Sequence, residues 1–131
     1  MARSIVIIAA LLGALSVGLG AFGAHGLKQI VTETQVATFE TGVKYQMYHA
    51  FFLLFIGICP YLSEKAKKVV LYLVLSGVLF FSGSIYLLTF KDLIDVNLKI
   101  IGPITPVGGL MLIAAWVYTA IQMIKNRALI K

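Results

Sequence analysis

Four apolar runs of about 20 residues each, Ser4–Ala24, Val43–Leu62, Val69–Phe90 and Pro106–Ile124, occupy most of this chain. That is the length at which a helix rising about 1.5 Å per residue crosses roughly 30 Å of hydrocarbon. A helix satisfies its own backbone hydrogen bonds, which lipid cannot do for it, so the runs predict four membrane-spanning helices. Hydrophobic residues make up 60% of the 131 and charged residues 12%, and the mean hydropathy is +0.98. A water-soluble domain of this size needs far more charge on its surface. The expectation is therefore an all-α integral membrane bundle, one domain over residues 1–131, with helices near 4–26, 34–62, 67–90 and 106–125. The first run has a basic residue ahead of it, Arg3, and the small-residue stretch "AFGA" near its end, as a signal peptide would. Its apolar core is longer than such a segment needs, so a retained helix is expected.

Charge is divided unevenly between the two ends of these helices. Arg3, Lys65, Lys67, Lys68, Lys125, Arg127 and Lys131 fall on one side with a single acid, Glu64. Lys28, Lys44, Lys91 and Lys99 on the other side are cancelled by Glu33, Glu40, Asp92 and Asp95. The whole net charge of +6 thus lies at one face. The positive-inside rule places that face, and both termini, in the cytoplasm of a bacterial inner membrane. The basic balance is a topological signal answered by anionic lipid, and it predicts no nucleic-acid partner. Cys59 is the only cysteine, so no intrachain disulfide forms, and a buried packing role is expected of it.

Small residues recur along the predicted helices. Gly13, Gly18, Gly20 and Gly23 stripe the first, Gly77 and Gly83 the third, and Gly108 and Gly109 the fourth. Spacings of three, four and seven let neighbouring backbones approach closely, which drives association where lipid offers no hydrophobic incentive. Such faces on helices 1 and 4 also suit a second copy or another membrane protein as partner. Gly26 is expected to act as the C-cap of helix 1, leaving His25 in the last turn. Thr32 and Gln35 fit a capping box, and Glu40 and Lys44 an ion pair one turn apart. The stretch "KDLIDVNLKIIGPITP" alternates Ile94, Val96, Leu98 and Ile100 with polar residues, which predicts a long extended loop outside the membrane. Thr105 and Pro106 would then open helix 4 as cap and first helical residue.

Polar groups inside apolar spans are where function is sought. Tyr45, Gln46 and His49 in helix 2, Ser82, Ser84 and Tyr86 in helix 3, and His25 in helix 1 all fall in the outer half of the bilayer under this topology. One reading makes them interhelical hydrogen bonds; another makes them an outward polar pocket for a lipid or quinone-like amphiphile. A haem or metal between His25 and His49 lacks carboxylate or cysteine support, and no cofactor is expected. No acid lies inside a span to drive a proton relay, and four short helices enclose little volume, so an ion or solute path would run between copies. Catalysis is not expected: Ser82, Ser84 and His49 have no orienting acid and no Gly-x-Ser-x-Gly turn. "GAFGAHG" ends a helix instead of opening one, against a phosphate-binding loop.

"GAFGAHGL", "TGVKYQMYHA", "SGSIYLL" and "GPITPVGG", in that order, resemble the small bacterial inner-membrane family called domain of unknown function 423. Its YgdD- and YwdK-like proteins and the eukaryotic transmembrane protein 256 share these motifs. The likeness extends over nearly the whole chain and implies a four-helix membrane protein without implying an activity. The family's recurring residues fall here on Gly20, Gly23, His25, Gly26, Tyr45, Gln46, His49, Ser82, Gly83, Pro103, Pro106 and Gly109.

Overall fold

The computed structural model describes residues 1–95 and 97–126. They form four long helices: α1 (Ala2–Ala24), α2 (Glu33–Ile58), α3 (Glu64–Thr89) and α4 (Leu98–Lys125), with a short 3-10 turn at Leu27–Gln29. Consecutive helices pack together, α3 and α4 most extensively. Two contacts across the ends set their directions. The N-terminal ammonium lies 3.5 Å from Glu64, bringing the start of α1 beside the start of α3. Gln35 donates to Asp92 at 2.9 Å, bringing the start of α2 beside the end of α3. The basic and charge-balanced groups of residues therefore sit at opposite ends, although Arg127 and Lys131 lie outside the described residues.

Local chemistry starts each of the later helices. Thr32 and Gln35 close the expected capping box, each side chain bonded to the other's backbone N–H. Ser63 accepts from the Ala66 N–H at 3.1 Å, and Asn97 from the Lys99 N–H at 3.1 Å. The expected Glu40–Lys44 pair does not form; the ion pair found among the described residues is that of the N-terminus with Glu64. Fixing two long side chains at the surface, Lys44 exposed and Glu40 partly so, gains little in water.

Burial separates inner from outer helices. α2 and α3 bury residues on broad faces, while α1 buries only Ile5, Ala9, Ser16 and Gly23, and α4 only Gly108, Leu112, Ala115 and Thr119. Each outer helix thus offers one narrow stripe to the protein and the rest, including Leu11, Leu15, Leu110 and Ile113, to its surroundings. Among the described residues three segments are long and apolar enough to cross a membrane: Ala2–Gln29, Glu64–Thr89 and Leu98–Lys125. α2, expected to be the fourth, falls short because Lys44, Tyr45, Gln46, Tyr48 and His49 dilute its apolar run.

Helix 4 corrects the sequence expectation. It starts at Leu98, not Pro106, and Pro103 and Pro106 lie inside its second and third turns. The long extended loop is thereby reduced to a short connection; Val96, part of the alternating pattern, lies outside the described residues. Each proline removes one helical N–H and crowds the preceding turn. Packing outweighs this: Ile101 and Ile104 share a cleft with Leu79 and Leu87 of α3, and Thr105 bonds Ser84 instead of capping. Gly26 is also not the C-cap of α1. It adopts φ −63°, ψ −40° and leads into the 3-10 turn, with His25 as the cap residue of α1. Cys59 is buried at the end of α2, as expected.

Candidate functional site

Gly42 and Gln46 stand one turn apart on α2, and both meet Tyr86 of α3. A Cβ at Gly42 would lie 2.8 Å from the Tyr86 ring and 3.1 Å from Ile85, so the missing side chain is what admits the ring. The Tyr86 hydroxyl then donates to Gln46 Oε1 at 2.7 Å, and Gln46 Nε2 donates to the Leu12 carbonyl of α1 at 3.1 Å. One buried amide therefore ties three helices. Ser82 adds a tie beside it, donating to the Gly42 carbonyl at 2.7 Å.

His49 faces another neighbour. Its Nδ1 lies 2.7 Å from the Tyr45 carbonyl, and its Nε2 lies 3.0 Å from Nε1 of Trp116 on α4. A carbonyl only accepts and an indole N–H only donates, so the ring is neutral with its hydrogen on Nδ1. Both nitrogens are spent, and no lone pair is left for a metal. The indole stacks on Phe52 with centroids 4.0 Å apart. Ser84 completes the set through its hydroxyl contact with Thr105, which joins α3 to α4.

The seven candidate residues for an outer polar pocket or interhelical bonds are thus distributed over several helix contacts. Gln46, Tyr86 and Ser82 converge where α2 meets α1 and α3. His49 and Ser84 face α4 at separate places. Tyr45 is exposed, its ring against Phe81 and Tyr48. His25 is exposed at the end of α1, where it is the cap residue, and joins none of these groups.

The glycines divide similarly. A Cβ at Gly77 would lie 2.6 Å from Leu112, and one at Gly108 2.3 Å from the Phe81 backbone nitrogen, so these two set the α3–α4 approach. Gly23 meets Phe39 at 3.1 Å, and Gly13 and Gly20 make ordinary contacts with α2. Gly83 and Gly109 have only ordinary contacts near 3.6–3.8 Å, and Gly18 faces open space. Sequence reasoning took Thr105 for a helix cap and passed over Gly42, Gly57 and Trp116. The last had a signal: an indole in mid-span needs a partner for its N–H.

α1 and α3 scarcely touch, and between them opens a cleft of about 300 Å³. Leu12, Leu15, Leu75 and Leu79 form its walls, and Gln46 and Tyr86 supply its polar floor.

The family model described as "Protein of unknown function (DUF423)" matches residues 19–109, which include Gly42, Gln46, His49, Ser82, Tyr86 and Gly108. A UPF0382 membrane protein of Staphylococcus haemolyticus is 39% identical over 92% of this chain and 94% of its own. UPF0382 membrane protein YwdK of Bacillus subtilis is 34% identical over 92% and 95%, and a UPF0382 membrane protein of Haemophilus influenzae 33% over 98% and 100%. No solved structure matches.

Proposed function

The chain belongs to the family described as Protein of unknown function (DUF423), and on that footing we propose that it is a non-catalytic structural or accessory component of the bacterial cytoplasmic membrane. The observation that carries this reading is the expenditure of its buried polar groups on one another. Every buried side-chain nitrogen and oxygen among the described residues has a hydrogen-bond partner, and Gln46, His49, Ser82 and Ser84 each tie one helix to another. Catalysis needs a group free to meet a substrate, and these are committed to holding helices together.

Four crossings with both termini inside complete the proposal. α2 is 26 residues long, about 39 Å at 1.5 Å per residue, and carries buried residues from Val36 to Gly57. Gln46 and His49, its two buried polar side chains, turn toward protein, so its modest hydropathy is no obstacle to lying in lipid. Reporter fusions test the topology: alkaline phosphatase is inactive when joined after Lys125 or within 60–63, and active within 28–32. The structural role is tested by Gln46→Leu and Ser82→Ala, which lower stability in detergent without releasing a small molecule. A compound that leaves with Gln46→Leu while the fold persists would overturn it.

The cleft between α1 and α3 favours one alternative, a site for a lipid or quinone-like amphiphile. Gln46 Nε2 keeps a second hydrogen and the Tyr86 oxygen keeps lone pairs, enough to receive a carbonyl or hydroxyl head. Mass spectrometry of an organic extract, compared with Gly83→Leu at the cleft wall, tests it.

A further inference from the structure

Lys67 lies on the wrong side of its helix for a lysine. It shares the buried face of α3 with Val70, Leu71 and Val74 at helical spacing and is 6% exposed, while Lys65 and Lys68 beside it face outward. Its Nζ donates to the Gly57 carbonyl at the end of α2, at 2.9 Å. An ammonium has three hydrogens to give, and a buried one calls for an anion. None is supplied from within: among the described residues no carboxylate pairs with Lys67, and Glu64, 70% exposed, holds the N-terminal ammonium instead.

Lys67 instead lines a cavity of about 480 Å³ between the starts of α1 and α3 and the end of α2. Arg3 stands on the same cavity and adds a second cation. Below them the wall is apolar, formed by Val6, Ile7 and Ile58, the last two 51% and 72% exposed toward the surroundings. Ile7 lies four residues past Arg3, about 6 Å deeper along α1. Two cations above a greasy, outward-open wall match a phosphate headed by charge and continued by acyl chain.

We propose that this cavity is a binding site for the phosphodiester headgroup of an anionic phospholipid, held by Lys67 and Arg3 with its first acyl carbons along Ile7 and Ile58. The site rests on the chain residing in a bilayer and on nothing about the number of crossings. It differs from the diffuse attraction of basic loops to acidic lipid because its central charge is inside the protein.

The full chain is titrated in detergent with phosphatidylglycerol or phosphatidylcholine of identical acyl chains, and retained lipid is read by native mass spectrometry. The wild type is expected to prefer phosphatidylglycerol, and Lys67→Met and Arg3→Gln are each expected to lower that preference about fivefold. Lys68→Gln, an exposed neighbour, should leave it unchanged. Equal retention of the two lipids, an equal fall in Lys68→Gln, or a preference surviving both Lys67→Met and Arg3→Gln overturns the site. Arg3→Gln decides the matter if Lys67→Met does not fold. Inorganic phosphate alone should leave the unfolding midpoint of the lipid-free chain unchanged; a Lys67-dependent rise would make free phosphate the occupant and refute the lipid assignment. Retention of each variant in alkali-washed membranes reads bilayer residence separately from lipid choice.

Discussion

Gly108→Ala adds a single methyl group where α3 and α4 have no room for it. The new Cβ would lie 2.3 Å from the Phe81 backbone nitrogen, 2.7 Å from the Phe80 carbonyl carbon and 2.9 Å from the Gly77 carbonyl oxygen. Ordinary contact begins near 3.4 Å, so the helices must part by about 1 Å. None of the obstructing atoms is a side chain that can swing away. Overpacking a core costs about 1–3 kcal/mol, and an all-backbone obstacle belongs at the upper end. Against it stands the gain of replacing glycine by alanine in a helix, about 1 kcal/mol. The expected net loss is about 2 kcal/mol. Gly18→Ala is the internal control, since nothing lies within 4 Å of its Cβ and only the propensity gain remains. Unfolding by SDS titration in mixed micelles measures both. If Gly108→Ala is as stable as Gly18→Ala, the close α3–α4 crossing is refuted.

Removing the three-helix tie by Gln46→Leu strands the Tyr86 hydroxyl and is expected to cost about 1–2 kcal/mol, with a Gln46–Tyr86 double-mutant cycle giving about 0.6–1.7 kcal/mol of coupling. No coupling would mean that the bond is not made. Trp116 is the only tryptophan, so its fluorescence reports on His49 directly. His49→Leu should shift its emission to the blue by removing the acceptor, and an unchanged spectrum would place the indole elsewhere. Pro106→Ala distinguishes the two starts of helix 4. Inside the helix it should recover part of the roughly 3 kcal/mol that an interior proline costs, whereas at the first helical position it should gain nothing.

Apolar run length was the most legible signal, because lipid restricts a backbone to structures that satisfy themselves. Helix starts governed by local chemistry, such as Thr32 with Gln35, were equally readable. The failures share a cause. Pro103 and Pro106 forbid a helix on local grounds, yet Ile101, Ile104 and Thr105 meet α3 along a helical face, a contact that no local rule contains. Gln46 and His49, only three residues apart, share a helix face by spacing, which left interhelical bonding and a common pocket both open. The structure sends one to α1 and α3 and the other to α4, because a buried helix with three neighbours has no single inner face. Gly42 was invisible for the same reason, since its partner, Tyr86, is far away in sequence.

This division of labour explains why the least apolar of the four helices lies so deep in the protein. In lipid, α2 would expose Gln46 and His49 to a medium with nothing to bond. Between α1, α3 and α4, the same groups become the means by which those helices find their register. The outer helices can then be largely apolar except for one stripe each, and beside the hydrogen bonds of Leu12, Thr105 and Trp116 their contacts are steric: Gly13 and Gly20 on α1, Gly108 on α4. Because those glycines are consumed inside the protomer, they are poor places to seek contact with another copy. Gly18 is left as the one glycine of α1 that faces open space, and Gly18→Leu is the substitution that should break a pairing through α1 while sparing the fold. Loss of monomer stability in Gly18→Leu would contradict this separation of inner ties from outer surface.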